Sequence, residues 1–159
     1  MNQLIEEGLN NEQKQAVEQL SNCVVAAGAG SGKTFVLARR FAHLVVDENI
    51  PVENILTLTF TNKAATEMYQ RIYQTLVDIA QKATNAQVKQ RAQTAVTDFY
   101  KSRIQTIDSY CASIVRQSAR FYGIRPDFIQ DNNKAIEFAR NKALPFILEH
   151  RKSEALKQL

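Results

Sequence analysis

Few features of the sequence tie the chain to a special environment. There are two cysteines, Cys23 and Cys111, and neither belongs to a CxxC pair or to any metal-ligand spacing. That pattern excludes a disulfide framework and a zinc site, and predicts free buried thiols in a reducing cytoplasm. No stretch reaches the roughly 18 apolar residues of a membrane span, and the opening "MNQLIEEGLNNEQ" is polar and acidic. Neither a membrane partner nor a secretory signal is expected. Charge of one sign is not in great excess: 20 Lys and Arg against 16 Asp and Glu give +4 and a pI near 9.1. The balance is compatible with a nucleic-acid partner but does not demand one. Internal repeats and low-complexity segments are lacking too. What is present is an ordinary globular composition, 45% hydrophobic and 23% charged over 159 residues, enough for one domain with a real core.

The few prolines and glycines fall at boundaries. Asn10 or Asn11 can cap a helix over "NEQKQAVEQL". "NCVVAA" then reads as a short buried strand running into glycines. From residue 33 to about 46 the pattern turns helical, with Val36, Leu37, Phe41, Leu44 and Val45 on one face. "DENIPVEN" is a turn and "ILTLTF" a second strand, which completes a βαβ unit with parallel strands. A helix from "TNKAATEMYQRI" carries Ala65, Met68 and Ile72 on one side. Another, "NAQVKQRAQTAVTDFY", has Val88, Ala92, Ala95, Val96 and Phe99 as its stripe. A third strand, "RIQTI", leads into "DSYCASIVRQSARFY", with Asp108 suited to the helix start, Gly123 to its end and Pro126 beyond. The tail from Asn132 is helical in composition, and Pro145 is expected to break or start a helix there. If the three strands are parallel, "GAGSGKT", "TNK" and "DSY" leave the sheet at one carboxyl edge, where open α/β sheets bind ligands.

"AGAGSGKT", residues 27 to 34, is the strongest chemical signal. Gly28, Gly30 and Gly32 let the backbone wrap an anion closely, and Ala27, Ala29 and Ser31 complete a loop whose amides point inward. Lys33 can reach the β- and γ-phosphates of a nucleotide such as ATP, and the Thr34 hydroxyl suits Mg²⁺. Both are the candidate catalytic residues. Ala27 stands where the strict GxxxxGK[ST] pattern has glycine.

The ordered set "LNNEQKQAV", "AGAGSGKT", "LTFTNKAATEM" and "TIDSYC" resembles the N-terminal motor domain of superfamily 1 DNA helicases of the UvrD/Rep and RecB/AddA kind, over about residues 9 to 130. The resemblance implies an α/β fold: a P-loop RecA-like parallel sheet flanked by helices over residues 1–125, part of the motor subdomain called 1A. Residues 126–159 would begin the helical 1B insertion. It implies ATP hydrolysis with Mg²⁺ to move along single-stranded DNA, in repair or recombination. Gln13 matches the family glutamine that reads adenine, although Asn10-x-x-Gln13 also fits a capping box. Phe60, Thr61, Asn62 and Lys63 match the motif that grips the DNA strand: an aromatic face for a base, two hydrogen-bonding groups and a charge. The alternatives are that Phe60 continues the Leu56, Leu58 alternation into the core and that Thr61 caps a helix. "TIDSYC" resembles a motif often written TIHSFC, and leaves Thr106 and Ser109 as candidate strand contacts. Asp108 replaces its histidine, and as a carboxylate it suits a helix cap better than a DNA phosphate.

Phe35 stands where UvrD-like members often carry Arg, and the stretch from 69 to 105 is long, which leans toward the RecB/AddA branch and its nuclease partners. Hydrolysis in this family needs an acidic D-E-x-Q pair and arginines from a second RecA-like domain. Neither occurs in this sequence; Asp47 and Glu48 in "LVVDEN" imitate the acidic motif but read as a solvated turn. The expectation is a fragment of a larger polypeptide, inactive alone, whose partners include the rest of its own chain. The competing readings are a stand-alone P-loop kinase for a small molecule and an inert nucleotide-binding module.

Overall fold

Helix caps set most of the element starts. The computed structural model describes residues 1–28, 30–129 and 131–150. Helix α1 (Gln3–Glu6) is a single turn capped by Asn2, whose side chain accepts from the Leu4 N–H. Helix α2 (Asn11–Glu18) opens on a reciprocal capping box. The Gln13 N–H donates to Asn10 Oδ1 at 2.8 Å, and the Asn10 N–H donates to Gln13 Oε1 at 3.0 Å. Two otherwise orphaned donors are satisfied, at about 1 kcal/mol of stability for such a cap. Helix α3 (Lys33–Val46) starts from Gly32 without a side-chain cap. Thr61 caps the long α4 (Asn62–Lys82), and Asn85 caps α5 (Ala86–Thr97).

Strands β1 (Leu56–Thr59) and β2 (Arg103–Thr106) pair in parallel, in a register running from Leu56 against Arg103 to Thr59 against Thr106. Among the described residues they form a two-stranded sheet, and α4 packs on both strands. The strand expected at "NCVVAA" is corrected. Residues 22–27 form no strand, and Val24 is 98% exposed. A strand exists only where a neighbour supplies partners for its backbone N–H and C=O groups, and no described segment pairs with this one. The fold is mostly helical around a small parallel sheet.

The core lies between the helices. Ile5, Val17, Phe41, Val46, Val52, Ile72, Leu76, Ile79 and Phe99 are buried in one cluster, each stabilising by about 1.5–3 kcal/mol for its removal from water. Phe99 anchors it, its ring 4.7 Å from Tyr69, 5.3 Å from Tyr73 and 6.2 Å from Phe41, centroid to centroid. On α4 the expected Met68 and Ile72 are buried, with Ala65 half-buried. On α5 the expected Ala92 and Ala95 are buried with Val88 and Val96 half-buried, while Phe99, expected on the same helix, is buried from the 3-10 turn (Phe99–Lys101) that follows it. On α3, Phe41 and Val45 are buried but Leu37 is exposed, and Ala38, Ala42 and Val46 take its place. That helix touches α1, α2, α4 and α5, so its buried arc is wider than one stripe.

Two further readings are corrected. Asp47 is not a solvated turn: it is 18% exposed, its carboxylate accepts from the Asn2 N–H at 3.0 Å, and it lies 2.7 Å from His43 Nδ1. Arg91 of α5 donates to the Val46 and Asp47 carbonyls at 2.8 and 3.1 Å, which fastens the same corner. Cys23 and Cys111 are exposed rather than buried. Cys23 follows the unpaired segment outward, and Cys111 lies on an outer face of α6 (Ile107–Ser118).

The chain divides into two compact units, Met1–Ser113 and the residues from Ile114 onward. In the second, a 3-10 turn (Ala119–Tyr122) ends at Gly123, whose φ of +65° provides the expected cap. Asp131 accepts from the Asn133 and Lys134 amides at the start of α7 (Asn132–His150). Pro145 does not break this helix, contrary to expectation, but lies within it. Pro145 has no N–H to give to the carbonyl four residues before it, a local loss that the surrounding turns tolerate.

Candidate nucleotide and nucleic-acid site

The phosphate loop joins the unpaired segment to α3. Gly30 and Gly32 have φ of +76° and +78°, in the left-handed region that favours glycine, so the sequence pattern has its backbone reason. Gly28 does not share that conformation, and the Ser31 N–H donates to its carbonyl at 3.4 Å. Lys33 Nζ donates to the Gly28 carbonyl at 2.5 Å and to the Ala27 carbonyl at 3.3 Å. The ammonium therefore sits over the loop it belongs to. Thr34 follows in the first turn of α3, whose leading amides have no side-chain cap. Ala29 lies outside the described residues.

Gln13 brings α2 to this loop. Beyond the capping box, its Nε2 donates to the Ser31 carbonyl at 3.2 Å. A Cβ added to Gly32 would lie 3.5 Å from that nitrogen, so the amide passes close over the glycine. A cavity of about 1040 Å³ opens beside the pair, lined by Asn10, Gln13, Ser31, Lys33 and Arg40 among others. Its size is at the upper end of the range for small-molecule sites. Arg40 was not legible as a wall residue. It caps the other end of α2, donating to the Ala16 carbonyl at 2.7 Å.

The second candidate surface is the carboxyl edge of the sheet. Phe60, directly after β1, is 87% exposed and is no part of the core. Thr61 Oγ1 accepts from the Ala64 N–H at 3.1 Å, the capping role its type allows. Asn62 and Lys63 are exposed, and Lys63 is 4.0 Å from Glu67. At the end of β2, Thr106 is only 7% exposed. Its hydroxyl accepts from the Ser109 N–H at 3.1 Å and donates to Ser109 Oγ at 2.8 Å. Thr106 thus caps α6, the role expected of Asp108, which stands inside the first turn instead. Ser109 is exposed. The strand register brings the Phe60 and Ser109 turns side by side. The expected convergence of all three turns is observed for these two; among the described residues the phosphate loop does not extend a strand of this sheet.

Sequence reasoning missed Gly8 and Arg39. Gly8 has φ +81°, and an added Cβ would lie 3.4 Å from Phe35 Cζ. Arg39 lies over the Phe35 ring, 5.0 Å from its centroid, and donates to the Leu4 carbonyl at 2.7 Å. Burial lowers the Arg39 pKa, against the opposing charges of Glu7 and Asp78. A glycine followed by two apolar or polar residues carries no pattern that announces such a contact.

The pattern that describes the UvrD/REP helicase N-terminal domain matches residues 9–159. The chain belongs to this family. Within the UvrD/REP match lie every candidate residue from Gln13 to Ser109, whereas Gly8 stands just before it. The A subunit of an ATP-dependent helicase/nuclease from Clostridium acetobutylicum is 34% identical over 147 residues, 91% of this chain and 12% of that protein. Its counterpart of the same name from Thermoanaerobacter sp. is 42% identical over 120 residues, 74% of this chain and 10% of that protein. The ATP-dependent DNA helicase UvrD1 of Mycobacterium leprae is 54% identical over 67 residues, 42% of this chain and 9% of that protein. The chain therefore spans about a tenth of the length of the curated relatives it matches.

Proposed function

We propose that this UvrD/REP domain is the ATP-gripping N-terminal part of a DNA helicase that moves on single-stranded DNA, in the branch of the helicase/nuclease A subunits. The observation that carries the proposal is Lys33 held over a glycine loop with left-handed turns at Gly30 and Gly32, tied through Ser31 to Gln13. The branch is supported by the extent of similarity, 147 residues to the Clostridium helicase/nuclease protein against 67 to UvrD1. On this reading residues 1–125 belong to a RecA-like motor subdomain and 126–159 begin a helical insertion. The partners are single-stranded DNA, the second RecA-like domain of the same polypeptide, and the other subunit of a helicase–nuclease. The same proposal includes a cytoplasmic location.

Each residue then has a task. Lys33 exchanges its loop carbonyls for the β- and γ-phosphate oxygens, and the amides from Gly28 to Thr34 hold the remaining oxygens. Gln13 reads the adenine edge. The Thr34 hydroxyl would hold Mg²⁺ beside the phosphates, and the ion would supply neutralisation of their charge. Phe60 stacks on a base while Thr61, Asn62, Lys63, Thr106 and Ser109 line the backbone path. Thr106 acts there through Ser109, since it is itself buried. We assign water activation and the transition-state arginines to the remainder of the polypeptide.

The test is ATP hydrolysis by the whole polypeptide with and without single-stranded DNA, beside Lys33→Ala. Strong stimulation by DNA that disappears in Lys33→Ala is the expected outcome. Hydrolysis indifferent to DNA would remove the translocase reading and leave a P-loop enzyme for another acceptor.

A further inference from the structure

Lys33 and Thr34 lie between two points at which the N-terminal helices hold the phosphate loop. The first is Ser31, whose carbonyl accepts from Gln13 of α2 at 3.2 Å. The second is Phe35, the residue next to Thr34, whose ring orientation is fixed to the first turn of α3. Gly8 lies against one part of that ring, where a Cβ would stand 3.4 Å from Cζ and 3.8 Å from Cε1. The φ of +81° at Gly8 is one that other residues adopt only with strain. The Arg39 guanidinium lies 5.0 Å from the ring centroid and is itself fixed by the Leu4 carbonyl at 2.7 Å. Its Nε is buried with no hydrogen-bond partner among the described residues, so it is held by packing as well as by that bond. Lys14 and Glu6, 3.0 Å apart, join α1 to α2, so both holding points belong to one connected N-terminal piece.

We infer that Gly8, Phe35 and Arg39 are positioning residues for nucleotide binding. They form a clamp that fixes the first turn of α3 without touching the nucleotide, and they make affinity at Lys33 and Thr34 depend on the segment before α2. The inference rests on the phosphate-loop reading above. Its physical basis is that phosphate-binding amides and a long lysine stem bind well only when the backbone carrying them is already in place.

The test uses the full chain and a fluorescent ATP analogue with Mg²⁺, with far-UV circular dichroism and thermal unfolding on every variant. Phe35→Ala is expected to bind about tenfold more weakly, in the range typical of coupling between linked groups, while still melting cooperatively. Gly8→Ala is expected to weaken binding by about fivefold, the low end of the same scale. Combining Gly8→Ala with Phe35→Leu should bind better than the product of the two single effects, because the strain an L residue takes at φ +81° reaches α3 through the Phe35 ring. A merely structural glycine would give no such recovery. Should Phe35→Ala not fold, Gly8→Ala, Phe35→Leu and their combination carry the test. Strict multiplication of the single effects overturns the clamp, as does unchanged affinity in both single variants. If Lys33→Ala binds like the parent chain, the phosphate-loop reading falls and the clamp with it; if Lys33→Ala loses binding while the clamp variants keep it, the clamp alone falls.

Discussion

Replacing Gly32 by alanine separates backbone conformation from steric contact. Gly32 has φ +78°, and a Cβ there would meet Gln13 Nε2 at 3.5 Å, an ordinary contact distance. Crowding contributes little, so the cost is that of an L residue in the left-handed region, about 1–2 kcal/mol. If the loop keeps its shape, the cost appears in folding and lowers the melting temperature by about 2–8 °C for a chain of this size. If the loop relaxes, the cost moves to the ligand, and nucleotide affinity falls by about 5–30-fold for the same free energy. Gly28→Ala is the control, because its φ is not left-handed and its Cβ would meet nothing within 4 Å. Thermal unfolding together with titration of a fluorescent nucleotide detects both routes. Unchanged melting and unchanged affinity in Gly32→Ala would refute the reasoning, as would an equal loss of melting temperature in Gly28→Ala.

Two other substitutions test different parts of the structure. Phe60→Ala should leave the melting temperature where it is, since the ring is 87% exposed, yet weaken single-stranded DNA binding by the whole polypeptide by about 1–3 kcal/mol, the worth of one stacked base; a large drop in stability would instead assign the ring to packing. Asp47→Ala should destabilise by about 1–3 kcal/mol in denaturant titration, because His43 and the Asn2 amide both lose their partner in a poorly solvated corner. A solvated turn would tolerate that change with almost no effect.

Legibility followed the range of the interactions. Asn10, Thr61 and Gly123 were readable because a cap is a contact with residues two to five positions away, and the capping box is written in four consecutive letters. The stripe on α5 was readable because that helix packs mainly along one side. The strand at 22–27 was not: the apolar letters of "NCVVAA" record a preference, whereas pairing needs a neighbour that the letters do not supply. Asp47 was misjudged for a related reason, since its partners stand 4 and 45 positions away and only the packing of α1 against α3 brings the Asn2 amide within reach. At the site, the loop glycines and Lys33 announced themselves through spacing. The supporting residues Gly8, Arg39 and Arg40 act through tertiary contacts that no local pattern encodes. Phe60 was readable only as a choice between core and surface, and exposure decided that choice.

A side-chain amide has a fixed inventory: two lone pairs on oxygen and two protons on nitrogen. In Gln13 the Asn10 N–H draws on one lone pair and the Ser31 carbonyl on one proton. Among the described residues, one acceptor and one donor stay uncommitted on a planar group whose orientation those two bonds already fix. That remainder equals the demand of an adenine edge, one amino proton and one ring nitrogen. On the proposed function, helix cap and base reader are therefore not rival uses of this glutamine, because the first spends only half of what the amide has.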